Sequence, residues 1–165
     1  MSSDQTNQDL RKKIEATLVS FLAAYEDGKA QNNPSLINRD VTPDCLRHLL
    51  PTSLCKSLGL PPDFAMNNEI YEQNYANDLK LGGVHDTVNT NLVIDVDASK
   101  AALTTKSDLT FNEGDLLVLE FAWFFDLNED GSKIKRVVEF ADPDAVKAME
   151  ARGRQAALET SDKGS

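Results

Sequence analysis

Hydrophobic and polar positions divide the chain into a helical part and a strand-like part. Near the N-terminus, six apolar side chains recur at helical spacing and predict a first helix over about residues 8–27, closed by Gly28: Leu10, Ile14, Leu18, Phe21, Leu22 and Tyr25. A proline-rich stretch with little periodicity follows, which is typical of a long ordered connection with short helical turns. A second helix, capped by Asn67 or Asn68, carries Tyr71 and Tyr75 on one face.

From residue 84 to residue 141 the pattern changes to the alternation of strands. The segments NEGD at 112–115 and NEDG at 128–131 predict hairpin turns. Between them, LLVLEFAWFFDL is apolar on both faces, so the strand at 115–127 is expected to be covered on both sides. A last strand over 133–141 pairs back, and Asp142 followed by Pro143 predicts the start of a short helix.

This order of elements predicts an α+β fold in which the helices pack on one face of a curved antiparallel sheet. The second apolar face of the strand at 115–127 needs another partner, and a second copy of the chain is the simplest candidate. The sequence predicts one domain over residues 8–152, with mobile tails at 1–7 and 153–165.

Charge and composition exclude several classes of partner. The formal net charge is −10, which argues against a nucleic-acid backbone or an anionic membrane. The polar N-terminus is no signal peptide, and no apolar run has the length of a membrane span. The two cysteines, Cys45 and Cys55, predict free thiols in a reducing compartment, hence a cytoplasmic protein.

Three segments carry a resemblance to a known fold: INRDVTPDCLRHLLPTSLCKSLGLPP, NNEIYEQNYANDL and VLEFAWFFDLNEDGSKIKRVVEFAD. With the order of elements, they resemble the cone-shaped NTF2-like, or SnoaL-like, α+β fold. More narrowly, the chain looks like the small fungal NTF2-like proteins of secondary-metabolite clusters. Those proteins act as isomerases, cyclases, dehydratases or semipinacol-type rearrangement catalysts.

The resemblance implies a homodimer with a conical pocket for a hydrophobic substrate, and neither a metal nor an organic cofactor. It also implies acid–base residues from the loop after the first helix and from the late strands, where Arg39 and Glu139 match positions that relatives use. One departure concerns the strand at 115–127, where relatives often carry tyrosines. Here Leu117 and the run Leu119-Glu120-Phe121 stand instead, which predicts a more apolar pocket and a different substrate.

Glu139 is the leading catalytic candidate because an ionised carboxylate is costly among Val137, Val138, Phe140 and Ala141. Burial raises the pKa of a carboxyl group, which suits it to donate or accept a proton near neutral pH. The alternative is a structural ion pair with Lys135, Arg136 or another basic residue.

Arg39 is the second catalytic candidate, since a guanidinium can hold a carbonyl or enolate oxygen. The alternative is a surface ion pair with Asp40 or Asp44. The sequence predicts that Arg39 and Glu139 face one cavity, about one substrate width apart.

His48 and His85 are the only histidines, and each is a candidate for proton transfer or for a structural role. They form no cluster at zinc-ligand spacing, so no metal site is predicted.

Five further residues are candidates for contact with the substrate. Phe121, Trp123 and Phe125 share one strand face and predict an aromatic wall, unless they fill the core or a dimer interface. Glu120 lies on the opposite face, where a cross-strand hydrogen bond is the alternative. Tyr71 either touches the ligand or packs between helix and sheet.

Two functions remain open at this point. The first is a cofactor-free acid–base enzyme that isomerises, cyclises, dehydrates or rearranges a hydrophobic intermediate of fungal secondary metabolism. The second is a non-catalytic module that binds a small molecule or a protein. The fold does not decide between them, because this scaffold carries many functions.

Overall fold

A computed structural model describes residues 2–164, which form four α-helices, a short 3-10 turn and one six-stranded sheet. The helices are α1 (Ser3–Gln31), α2 (Thr52–Ser57), α3 (Asn68–Leu81) and α4 (Pro143–Asp162), and the 3-10 turn is Pro34–Asn38. The strands are β1 (Val41–Leu50), β2 (Ala65–Met66), β3 (Gly82–Asp95), β4 (Lys100–Phe111), β5 (Leu116–Leu127) and β6 (Ile134–Ala141). Helices packed on a sheet confirm the α+β prediction.

The sheet runs in the order β2-β1-β6-β5-β4-β3. The last four strands along the chain form three consecutive antiparallel hairpins, and the second and third turn at the two segments that the sequence predicts. The sequence predicts an antiparallel sheet, but β1 pairs in parallel with β6. The sheet is therefore mixed.

Strand β1 lies in the stretch for which the sequence predicts a loop with short helical turns, and that prediction is wrong for residues 41–50. The pairing of β1 with β6 shifts register between Val41 and Leu46, where four residues of β1, 42–45, lie opposite one residue of β6, Lys135. This bulge contains Pro43 and Asp44, which weaken a strand signal and interrupt the alternation of apolar and polar side chains.

The ends of the helices agree with the sequence in part. Asn67 caps α3 by accepting from the backbone N–H of Ile70 at 2.9 Å, and Asp142 caps α4, as predicted. Helix α1 does not close at Gly28 but continues to Gln31 and ends at Asn32, whose φ of 48° is left-handed. Both terminal stretches predicted as tails are largely helical, since α1 begins at Ser3 and α4 reaches Asp162. The mobility of these ends stays a prediction.

The sheet has one covered face and one open face, which we call the inner and the outer face. Side chains of α1 pack on the inner face of β4, β5 and β6 to form the main core, and Ala145 of α4 closes a smaller cluster. On the outer face, large apolar side chains stay exposed: Leu46, Val88, Val93, Leu116, Val118, Phe124 and Phe140. Within residues 2–164, β5 is therefore covered on its inner side only, and cover of its outer side stays a prediction.

Both cysteines, Cys45 and Cys55, are free, as the sequence predicts, and both are buried. Burial raises the pKa of the Cys45 thiol to about 11, so this side chain acts as a small apolar residue of the core. Among residues 2–164, no helix combines the length and the apolarity that a bilayer crossing requires.

Candidate functional site

Glu139 lies on the inner face of β6, where it stands opposite Trp123 of β5. The hydroxyl of Tyr71, on α3, donates to Glu139 Oε1 at 2.7 Å. The hydroxyl of Tyr25, on α1, lies 2.5 Å from the Tyr71 oxygen. Because Tyr71 gives its only hydroxyl proton to Glu139, Tyr25 must be the donor in the second bond. Two helices and a strand therefore build one chain of donors from Tyr25 through Tyr71 to Glu139.

The protonation of this chain is set by its surroundings. Burial raises the pKa of Glu139, and the hydrogen bond from Tyr71 and the charge of Arg47 offset part of that rise. Burial also raises the pKa of Tyr25 and of Tyr71, and the negative charge of Glu139 adds to both. The two phenols hence keep their protons near neutral pH, while the carboxyl is the group that exchanges one.

Arg47 is the cation of the cluster, and it comes from the inner face of β1. Its residue is 1% exposed, and its guanidinium lies over the ring of Tyr71 at 3.8 Å and over that of Phe21 at 5.0 Å. Nη2 donates to the carbonyl of Ile37 at 2.7 Å and to Oδ1 of Asn38 at 3.0 Å. Burial lowers the pKa of Arg47, but Tyr71, Tyr25 and Glu139 raise it to a net value above the ordinary one. The side chain is therefore charged.

A second acid, Asp78, stands near the cluster on α3. Its spacing from Tyr71 and Tyr75 places all three on one helix face. Burial, followed by the negative charge of Glu139, raises the pKa of Asp78 to about 7. The side chain of Asp78 is nevertheless exposed, so its loss of solvation comes from the side chains packed around it and not from enclosure in the core.

The sequence predicts that Arg39 faces a cavity together with Glu139, but in the structure its side chain contacts other residues. Its Nη1 lies 2.7 Å from Asp27, its Nε lies 3.3 Å from Asp40, and its Nη2 donates to the carbonyl of Ser20 at 2.6 Å. These contacts match the alternative of a surface ion pair. The arginine that acts on Glu139 is Arg47.

Three other predicted site residues lie on the outer face of the sheet, away from Glu139. His48 is level with Val138 of β6, and burial, then the charge of Arg136, lowers its pKa. Glu120 stands opposite Lys106 of β4. His85 also lies on this face, so the structure does not bring either histidine or Glu120 into the inner cluster.

His85 is part of a polar group of its own. Its Nδ1 lies 2.9 Å from Asp86 Oδ2 and its Nε2 lies 2.7 Å from Thr110 Oγ1. With Asp108 added, one ligand atom from each of His85, Asp86 and Asp108 falls within 4.8 Å of the others. Both ring nitrogens are already engaged by protein atoms, which accounts for the orientation of the histidine.

Of the three residues of the predicted aromatic wall, two are part of the hydrophobic core and one is partly exposed. Trp123 and Phe125 are buried, stack with each other at 6.2 Å, and pack against Phe21 of α1. Phe121 and Leu117 are only partly buried, and both contact the smaller cluster beneath α4. Phe121 and Leu117 are therefore the predicted lining residues that still offer surface to a ligand.

Comparison with solved structures identifies the fold. The chain is similar to the BvnE pinacolase from Penicillium brevicompactum, with a TM-score of 0.70 and 20% identity over 90% of this chain and 99% of that chain. It is similar to AusH from Aspergillus nidulans, with a TM-score of 0.64 and 19% identity over 80% and 85% of the two chains. It is also similar to a putative SnoaL-like polyketide cyclase from Jannaschia sp. CCS1, with a TM-score of 0.60 and 11% identity over 84% of this chain and 91% of that chain. The chain has the NTF2-like, or SnoaL-like, fold.

The likeness to these NTF2-like structures is one of backbone rather than of sequence. No protein-family model matches the chain, and no curated protein matches it in sequence. At such low identities the comparison establishes the cone fold, and the chemistry has to be argued from the side chains.

Of the residues in this inner cluster, the sequence analysis named Glu139 and Tyr71 as candidates but not Arg47, Tyr25 or Asp78. The signal for Arg47 was present, because Arg47 interrupts an inner face made by Cys45 and Leu49 in the way that Glu139 interrupts β6. It was not used because β1 was not predicted as a strand.

Proposed function

We propose that the protein is an acid–base enzyme that isomerises or cyclises a hydrophobic small molecule, with Glu139 as the group that moves the proton. The observation that supports this most directly is the hydrogen-bonded chain from Tyr25 through Tyr71 to Glu139, which ends on a carboxyl of raised pKa. A carboxyl with a pKa closer to neutral is a better general acid and base than an ordinary surface glutamate.

The second oxygen of Glu139 is the atom that would meet the substrate. Oε1 accepts from Tyr71, whereas no residue within 2–164 donates a hydrogen bond to Oε2, and Glu139 is only partly buried. In the ionised form Oε2 takes a proton from a carbon or hydroxyl of the substrate, and the protonated form returns it to another atom. Proton transfer of this kind contributes about 10²–10⁴-fold to a rate.

The other residues of the cluster hold this carboxyl and its charge in place. Tyr71 fixes the position of Glu139 and stabilises its ionised form, and Tyr25 in turn fixes Tyr71. Arg47 supplies a positive charge in a desolvated setting, where it stabilises negative charge that develops on a substrate oxygen. Phe121 and Leu117 provide the apolar surface for a ligand.

The class of substrate follows by similarity to proteins of the same fold. BvnE is a pinacolase from a fungus, and another neighbour is a putative polyketide cyclase. We therefore propose an intermediate of fungal secondary metabolism as the substrate, and rearrangement, ring closure or dehydration as the reaction.

A metabolite comparison with and without the protein tests this function. Cells of the producing organism that lack the protein are expected to accumulate an intermediate, and the wild-type chain to convert it. Glu139→Gln keeps the size of the side chain but cannot transfer a proton, so we expect most of the conversion to be lost.

Glu120→Gln is the matched control, because it makes the same change on the outer face and is expected to restore conversion. Full conversion by Glu139→Gln would show that this acid is structural and would favour the binding module instead.

A further inference from the structure

Three polar side chains come together on the outer face of the sheet, away from the inner cluster. They are His85 and Asp86 of β3 and Asp108 of β4, and one ligand atom from each lies within 4.8 Å of the other two. His85 is the register partner of Asp108, so both side chains point to the same side of the sheet. One imidazole nitrogen and two carboxylate oxygens form a donor set that divalent metal ions bind.

A bulge in β3 brings Asp86 to the same side as His85. Between the pairs His85–Asp108 and Val88–Lys106, two residues of β3 lie opposite one residue of β4. In a regular strand the side chain that follows His85 would point to the inner face. Here Asp86 has a left-handed backbone, with φ at 53°, and its Oδ2 lies 2.9 Å from Nδ1 of His85. The bulge therefore adds a second carboxylate to the pair that the register already provides.

The two negative charges of this group are not neutralised by a basic side chain. Among residues 2–164, Asp86 contacts only the ring of His85, and Asp108 forms neither a hydrogen bond nor an ion pair through its side chain. Asp108 is also partly buried, which limits the water that can solvate it. Two like charges at this separation repel each other, and a bound dication would compensate both.

Thr110 holds the ring of His85 in an orientation that suits a metal ligand. Nε2 lies 2.7 Å from Thr110 Oγ1, while Nδ1 faces Asp86. A metal-binding histidine donates its other ring N–H to a neighbouring oxygen, which fixes the tautomer and leaves a lone pair for the metal. With Nε2–H donating to Thr110, Nδ1 is free to bind a cation. The cation then replaces the proton between Nδ1 and Oδ2, and that proton passes to solvent.

We propose that His85, Asp86 and Asp108 bind one divalent transition-metal ion of the zinc class, with water in the remaining coordination position. The imidazole favours such an ion over Mg²⁺ and Ca²⁺, which prefer sites made of oxygen alone. A tetrahedral Zn²⁺ holds its ligand atoms about 3.4 Å apart. Nδ1 and Oδ2, now 2.9 Å apart, separate slightly on binding, and the Asp108 oxygen approaches from within 4.8 Å by a change of side-chain rotamer.

The ion joins β3, the strand at one edge of the sheet, to its neighbour β4. The outward side chains of β4 around the site are polar, namely Thr104, Lys106 and Thr110, so the site lies beside the apolar part of the outer face. Glu139 lies on the inner face. The inference is therefore independent of the proposed acid–base function, and the ion takes no part in that reaction.

Calorimetric titration of the full chain, without an affinity tag and after chelator treatment, tests the site with ZnCl₂ as the probe. We expect one Zn²⁺ to bind per chain in the micromolar range, and millimolar Mg²⁺ not to displace it. His85→Gln and Asp108→Asn each remove one ligand and are expected to weaken the binding of Zn²⁺ at least about tenfold. Neither side chain is part of the core, so both variants should fold.

His48→Gln is the matched control, because it makes the same change at the only other histidine of the chain, which lies on the same face of the sheet near Arg136. This variant is expected to bind Zn²⁺ as tightly as the wild type. It also leaves His85 as the only histidine, so the ring resonances of His85 need no further assignment. In ¹H–¹⁵N spectra of this variant, the Nδ1 resonance should shift with Zn²⁺ and not with Mg²⁺.

The inference is overturned if Zn²⁺ shows no saturable binding in the micromolar range, or if Mg²⁺ binds equally well. It is also overturned if His85→Gln or Asp108→Asn binds Zn²⁺ as the wild type does, since the ion would then be held by the general negative charge of the protein. Loss of binding in His48→Gln would assign the ion to another site and have the same consequence.

Discussion

At the scale of single residues, Glu139 and Asp78 are two acids of raised pKa on neighbouring elements. Each is disfavoured in its charged form by the protein around it, and the charge of Glu139 contributes to the raised pKa of Asp78. Raised pKa values of this kind are common at functional sites, which supports the proposal that Glu139 moves a proton.

Asp78 gives a prediction about stability and pH. Its pKa is raised from 3.8 to about 7 on folding, so both the folded and the unfolded state hold the proton below about pH 4. Between about pH 4 and 7 the unfolded state loses the proton first, and folding becomes less favourable as pH rises. Asp78→Asn removes this penalty, and we expect its gain in melting temperature over the wild type to grow across that range and then level off.

Asp130 is the control for Asp78, because its pKa is lowered on folding instead of raised. Hydrogen bonds from Ser132 lower the pKa of Asp130 to about 2, so this acid stabilises the folded state above its ordinary pKa and loses that effect as pH falls toward 2. Asp130→Asn should therefore lower the melting temperature at neutral pH and have little effect near about pH 2. A pH-independent gain for Asp78→Asn in thermal unfolding scans would contradict the raised pKa.

At the scale of elements, the packing of α1 on α3 sets the distance between Tyr25 and Tyr71. Gly28 permits this packing, because a Cβ at that position would overlap the hydroxyl and ring of Tyr75. Tyr75 cannot easily move away, since its hydroxyl donates to the carbonyl of Tyr25 at 2.6 Å. The sequence predicts Gly28 as the end of the first helix. In the structure Gly28 lies inside α1, where it allows the contact with Tyr75 of α3.

Gly28→Ala should destabilise the protein by about 1–3 kcal/mol through this overlap. Gly153→Ala is the control, because Gly153 also lies in a helix but its added Cβ would meet only Leu81 at an ordinary 3.8 Å. There the loss of backbone freedom in the unfolded chain should make the change neutral or stabilising by about 0.5–1 kcal/mol. Urea unfolding of both variants gives the comparison, and an equal effect of the two would show that α1 and α3 separate easily.

The elements also show where sequence reasoning succeeds and where it stops. Hairpin turns and helix caps depend on a few adjacent residues, and both hairpins and the caps Asn67 and Asp142 were predicted. Strand β1 depends on pairing with β6, which is far away in the chain, and a bulge hides its alternation. Because β1 was missed, Arg47 was not considered, and Arg39 was the arginine predicted for the site.

At the scale of the whole molecule, the outer face of the sheet is an apolar surface that no element of residues 2–164 covers. Its apolar side chains come from β1, β3, β5 and β6, and several are about half exposed, such as Phe124 at 49% and Val93 at 64%. A contiguous apolar surface of this kind is unusual on a monomer. We propose that it is the interface of a homodimer, as the sequence predicts for the open face of β5.

Phe124→Lys tests the dimer most directly. Phe124 lies level with Val138 of β6 and Ala102 of β4, so a lysine there would bring a charge into the middle of the buried surface of both subunits. By sedimentation at micromolar concentration, we expect the wild type at about twice 18.2 kDa and a folded Phe124→Lys monomer. Leu158→Lys, at a leucine of α4 that is also exposed, should leave the dimer intact. A monomeric wild type would contradict the proposed interface. It would leave the proposal for the inner cluster unaffected, because every residue of that cluster lies on the other side of the sheet.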